Sequence, residues 1–182
     1  HMSSLMKLDQ EPRTYLAERA IGSGIQNVLF ADIRTVDDAK EGVSAVRPET
    51  PDVGGRGGVS STRDTGYVFP GSYSMDDYIN SLNMAVVAIM VDKKPCVDNL
   101  EEILSVGGID MVQFGPGDYS MSIGKDSSDP EVKTAEKYTI ETCLKMGIRP
   151  RAEIGSWEDA KPYIDMGIID FCIGSDVSTV YS

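Results

Sequence analysis

Histidine is almost absent: one in 182 residues, at position 1. His1-Met2 reads as a tag remnant, and residues 1–4 as a tag or disordered N-terminus, so no imidazole is left for proton transfer or metal ligation. Cysteine is scarce as well. Cys96, Cys143 and Cys172 are far apart and odd in number, with no CxxC. That excludes a disulfide framework or a thiolate metal site, and points to buried reduced thiols in a cytoplasmic protein. Basic residues are outnumbered, 17 against 29 acids, for a net charge of -12. With no basic patch to neutralise phosphates, nucleic acid is excluded as a partner. No apolar run approaches the roughly 20 residues that would span a bilayer, and no signal-peptide pattern opens the chain.

What is present is an alternation. Short apolar runs recur at Leu5–Leu8, Asn27–Ala31, Val86–Val91, Met111–Phe114, Ile148–Ala152 (interrupted by Arg149 and Arg151) and Ile169–Ile173. Continuous rather than alternating hydrophobicity marks strands covered on both faces, as in a parallel sheet flanked by helices. Helix signals fill the gaps between runs. Thr35 with Asp38, Ser74 with Asp77 and Ser156 with Asp159 are N-cap pairs, in which a short side chain accepts from a free first-turn N–H. Pro130 opens a helix that Gly147 closes, and "PCVDNLEEILSVGG" ends at Gly107-Gly108. Pro162 falls inside the third capped segment, so that helix bends or starts after it. The class is α/β, one domain over residues 5–182. Residues 48–73, rich in Gly, Pro, Ser and Thr, form a long loop of the functional or flexible kind.

Strict β-α alternation fits an open doubly wound sheet or a (β/α)8 barrel, and both place reactive groups at the carboxyl ends of strands. Those ends carry acids: Asp32, Asp92, Asp118, Glu153 and Asp176. Acids converging on one rim suit an oxygen-ligand site for Mg²⁺ or Mn²⁺, with Co²⁺ as a further candidate. Each has a plainer reading too. Asp92 caps the next helix, or Asp118 caps its own backbone in a strand-to-loop turn.

Four segments, "GIQNVLFADIRTVDDAKEGVSAVR", "GGRGG", "VVAIMVDKKPCVDNLEEILSVGGIDMVQFGPGDYSMSIG" and "FCIGSD", resemble in order and spacing the class II, metal-dependent pyruvate aldolases of the HpcH/HpaI aldolase/citrate lyase family. The resemblance runs over nearly the whole chain from about Lys7. It implies a (β/α)8 TIM-barrel fold, here incomplete, with about six βα units corresponding to strands three to eight. The first two units, with the family's acid–histidine pair, and the last helix have no counterpart. It also implies cleavage of a 4-hydroxy-2-oxo acid to pyruvate and an aldehyde, with a divalent metal held by Asp92 and Asp118. Gly117 and Asp118 would receive the substrate carboxylate on their amides, Lys7 would stand where the family has a catalytic Arg, and Arg56 would contact substrate or a neighbouring subunit. Asp92 stands where the family usually has Glu, one methylene longer. Lys7 keeps a charge but loses the bidentate fork. Lys7 and Arg56 are equally readable as surface residues. Open alternatives are an impaired member that keeps a metal and 2-oxo-acid site, and a related citramalate- or malyl-CoA-type lyase. Six strands leave two open edges, so a homo-oligomer, dimer or hexamer, is expected.

Overall fold

The computed structural model describes residues 2–58, 63, 66–67 and 71–181. His1 and several residues of the 48–73 segment lie outside that set.

The described residues form six strands: β1 Leu5–Leu8, β2 Asn27–Phe30, β3 Val87–Val91, β4 Met111–Phe114, β5 Arg149–Ile154 and β6 Asp170–Ile173. They pair in parallel in chain order into one curled sheet, six strands of a barrel-like α/β fold. The apolar runs thus locate all six strands to within a residue or two. Helices α1 Arg13–Gly22, α2 Val36–Val46, α3 Met75–Met84, α4 Lys94–Asp98, α5 Leu100–Leu104, α6 Pro116–Ser122, α7 Pro130–Met146, α8 Lys161–Asp165 and α9 Asp176–Val180 connect and follow them.

The caps behave as their chemistry requires. Thr35 Oγ1 accepts from the Asp38 amide while the Asp38 carboxylate accepts from the Thr35 amide, closing a capping box at the start of α2. Ser74 caps α3 and Asp129 caps α7. Gly147 ends α7 in the left-handed region at φ 75°. Three expectations need correction. The "PCVDNLEEIL" helix is two short helices, α4 and α5, separated at Asn99, whose φ/ψ of -114°/21° breaks the ladder. The Ser156 segment begins as a 3₁₀ turn, Trp157–Ala160, and α8 starts at Lys161 so that Pro162 falls in its first turn, where its missing N–H costs nothing. A five-residue helix, α9, also follows β6, where no helix is expected from the sequence.

The core lies on the helix-covered, convex face. Val28, Phe30, Val87, Ile89, Val91, Val112 and Phe114 pack there against buried helix residues such as Ala17, Ala39, Leu100 and Val132. Cys96 and Cys143 sit in the same core, where burial pushes both thiols up, that of Cys143 to about 12. Cys172 is only partly buried. The concave face carries a smaller apolar cluster of Leu29, Ala88 and Met90 with Leu5 and Met111. No helix among the described residues is long and apolar enough to cross a membrane.

Candidate functional site

The parallel sheet directs every strand's carboxyl end to one rim, and a cleft of ≈ 660 Å³ opens there on the concave side. Lys7, Met90, Gly115, Gly117, Asp118 and Glu153 are among its lining residues. Lys7 reaches it from β1, where register places it level with Leu29, Ala88, Met111 and Arg149 across five strands.

"GPGD" is not a free-standing turn. Gly115 is the N-cap and Pro116–Asp118 the first three residues of α6. The amides of Gly117 and Asp118 are therefore first-turn donors with no carbonyl in their own helix to reach. A side chain at Gly115 would bring its Cβ to 2.8 Å from Met90 Cε and 3.0 Å from Asp92 Cβ. Glycine is what lets the end of β4 close against Asp92. A Cβ at Gly117 would meet nothing within 4 Å.

Asp92 directly follows β3 and Asp118 stands in the first turn of α6 after β4, and the two live in different surroundings. Asp92 is 2% exposed. Its Oδ2 accepts from the Asp32 amide at 3.3 Å, while its Oδ1 is buried with no hydrogen-bond partner. It does not cap α4, which has no side-chain cap. Burial pushes its carboxyl above the ordinary range, with the charges of Asp32 and Asp118 adding to the rise and Lys93 and the Asp32 amide opposing it. The Asp118 side chain is 44% exposed, with Lys93 Nζ at 3.6 Å from its Oδ1. Asp32 holds Arg34 at 2.9 Å in a positive-φ conformation, φ 58°.

A carboxylate oxygen buried without a donor is an uncompensated charge, and a cation is one way to compensate it. Among the described residues no three His, Cys, Asp or Glu side chains form a ready-made metal cage. A divalent ion held by two carboxylates would leave its other positions to water or ligand oxygens.

Arg56 is placed elsewhere. Its guanidinium donates to Thr14 at 3.1 Å and its amide to the Ser44 carbonyl at 2.7 Å, over α1 and α2, and it does not line the cleft. The two glycines flanking it have a packing reason: a Cβ at Gly55 would lie 2.0 Å, and one at Gly57 3.0 Å, from the Arg47 carbonyl oxygen. Two features escaped sequence reasoning. Lys93, next to Asp92, faces Asp118. Gln113 links Arg151 and Glu153 across β4 and β5. The signal for the second was the Arg-Pro-Arg-Ala-Glu-Ile alternation of β5, a strand with one polar face.

The family model of the HpcH/HpaI aldolase/citrate lyase matches residues 7–161. The chain belongs to this family. A hydroxypyruvate/pyruvate aldolase of Delftia acidovorans is 31% identical over 173 residues, 91% of this chain and 60% of that protein. A 4-hydroxy-2-oxo-heptane-1,7-dioate aldolase of Escherichia coli is 27% identical over 158 residues, 85% of this chain and 58% of that protein. Among solved structures, an HpcH/HpaI aldolase/citrate lyase family protein from Burkholderia cenocepacia superposes with a TM-score of 0.84 at 26% identity, covering 96% of this chain and 68% of that one. The chain thus spans about 60% of the length of the curated relatives it matches.

Proposed function

We propose that this HpcH/HpaI-family chain is an aldolase-type carbon–carbon lyase, cleaving a 4-hydroxy-2-oxo acid to pyruvate and an aldehyde with the help of Mg²⁺, Mn²⁺ or Co²⁺. Family membership and the two aldolase relatives support the reaction class. One observation carries the site: the buried, partnerless oxygen of Asp92, which lies behind Gly115 of the cleft wall and feels the charge of Asp118. Asp92 and Asp118 would hold the ion, and when bound it would supply Lewis-acid polarisation of the 2-oxo group. The chain's own groups do the rest. The first-turn amides of Gly117 and Asp118 receive the substrate carboxylate. Lys7, on the same cleft wall, offsets negative charge developing on the 2-oxo oxygen.

The contact of Lys93 with Asp118 favours a second reading, in which an internal ammonium occupies one carboxylate and the chain binds a cation and a 2-oxo acid without turning over. One experiment decides. The chain is incubated with Mn²⁺ and a 4-hydroxy-2-oxo acid and pyruvate release is followed, with Asp118→Ala as control. Release that falls to background in the variant supports the lyase. Mn²⁺ binding without release supports the second reading. No Mn²⁺ binding overturns both.

The assembly proposal is a homo-oligomer, a dimer or hexamer. β1 and β6 are the sheet's edges, and they and their surroundings expose Met6 at 45%, Ile173 at 52% and Trp157 at 61%. Open strand edges with apolar neighbours invite a partner. Size-exclusion chromatography with light scattering should show no stable monomer, and a sharp, compact monomer peak would contradict it.

A further inference from the structure

The concave face of β4 and β5 carries a polar chain that the reading above leaves unused. Arg151 donates to Gln113 Oε1 through both Nε, at 2.7 Å, and Nη2. A guanidinium can only donate, so it takes the carbonyl end of the Gln113 amide and turns the NH₂ end the other way. That end donates to Glu153 Oε2 at 3.0 Å. Gln113 is itself 4% exposed, so the amide has little freedom to leave this arrangement. Glu153 is exposed and lines the same cleft as Lys7, Gly117 and Asp118. No Lys or Arg among the described residues lies within ion-pair distance of it. Gln113 thus holds one oxygen of Glu153 and leaves the other for the cleft.

Cleavage of a 4-hydroxy-2-oxo acid requires a base for the C4 hydroxyl. Asp92 and Asp118 are committed to the cation and Lys7 to the 2-oxo oxygen. We infer that Glu153 is the general base of this site, with Gln113 and Arg151 as its positioning residues; the inference rests on the aldolase reading. In the step, the hydroxyl proton passes to Glu153, and the C4–O pair forms the aldehyde carbonyl. The C3–C4 bond breaks with its electrons left on the pyruvyl fragment as an enolate. Return of the proton to C3 yields pyruvate and regenerates the carboxylate, so no further reactant is needed.

The test uses the whole chain with Mn²⁺ and two reactions. One is aldol cleavage. The other is decarboxylation of oxaloacetate, which generates the same enolate by losing CO₂ and has no hydroxyl proton to remove. In Glu153→Gln, aldol cleavage should fall by about 10²–10⁴-fold, while decarboxylation and the calorimetric Mn²⁺ affinity stay at parental values. Glu153→Asp, which keeps the base, should retain part of the cleavage rate and covers the case of a Gln variant that folds poorly. Gln113→Leu should lower kcat for cleavage more than it changes KM. Parental cleavage rates in Glu153→Gln overturn the inference and leave the aldolase reading standing. So does equal loss of both reactions, which would mark a role in holding the cation or the fold. A parent protein that performs neither reaction and binds no Mn²⁺ brings down the aldolase reading, and this inference with it.

Discussion

The two faces of the sheet are built from alternate residues of the same strands, yet they do opposite work. Along β2 to β4 the convex face reads Val28, Phe30, Val87, Ile89, Val91, Val112 and Phe114, all buried beneath helices. The concave face reads Leu29, Ala88 and Met111 toward the amino end, then Met90, Gln113, Arg151 and Glu153 toward the carboxyl end. Strand alternation separates the two sets at no cost in length, since consecutive side chains point to opposite sides. One face contributes most of the burial that holds the fold. The other can carry charge because its carboxyl end opens to a cleft rather than to a helix.

The largest break in this comparison comes from the convex side. Phe30 is fully buried and its ring packs under Gly42 of α2. Phe30→Ala should cost about 3–5 kcal/mol, the lost transfer energy plus the cavity left beneath the helix. That is a large part of the roughly 5–15 kcal/mol that holds a typical domain together. Urea unfolding should show a much lower midpoint with an unchanged slope. Mn²⁺ affinity of the fraction still folded should not change.

Asp92→Asn tests the rim and should act in the opposite sense. Burial holds the Asp92 carboxyl above its unfolded value. Between the two values the native state binds more protons than the unfolded chain, so stability falls as pH rises through that interval. In cation-free protein the ionised side chain is thus a net cost at neutral pH. Asn keeps an acceptor for the Asp32 amide and removes the charge, so the variant should be more stable than the parent at neutral pH. The difference should vanish below the ordinary carboxylate range. Added Mn²⁺ should reverse the order: at 100 times its Kd it contributes about 2.7 kcal/mol to the parent and little to the variant. A parent unaffected by Mn²⁺ would show that the partnerless oxygen is not a cation ligand.

The contrast between faces also explains which parts of the molecule were legible in the sequence. Buried strands such as Val87–Val91 announce themselves because every position is apolar. Capping residues such as Thr35 and Ser74 are equally local, needing only the next three residues. β5 was harder, because Arg149 and Arg151 look like interruptions of an apolar run. They are one face of an alternating strand, and only the register with β4 shows that Arg151 meets Gln113. α1 carried no capping signal: Pro12 precedes it with no side-chain cap, and Arg13 is buried among Glu11, Asp38 and Glu41. Asp92 and Asp118 could be named from their place at strand ends and from family resemblance. Their different burial could not, since it depends on Gly115 closing over Asp92. Arg56 sits over the helices because its loop folds back on Arg47, a non-local closure no short motif encodes.

The smallest effect is expected where the helix layer meets the rim. Thr35 caps α2 close to Asp32, yet its hydroxyl serves only the convex side: it accepts from the Asp38 amide at 3.2 Å, and the Asp38 carboxylate accepts from Thr35 and Arg34 amides at 2.8 and 2.9 Å. Thr35→Ala removes one half of that box and leaves a first-turn N–H without its acceptor. The loss should be about 1 kcal/mol, read as a small fall in the urea midpoint. Cation affinity and pyruvate release should stay at parental values, the mirror image of Asp92→Asn, because nothing in the box reaches the cleft. If Thr35→Ala weakened Mn²⁺ binding as well, the start of α2 would be coupled through the Asp32 backbone to Asp92. The two faces would then have to be treated as one cooperative unit.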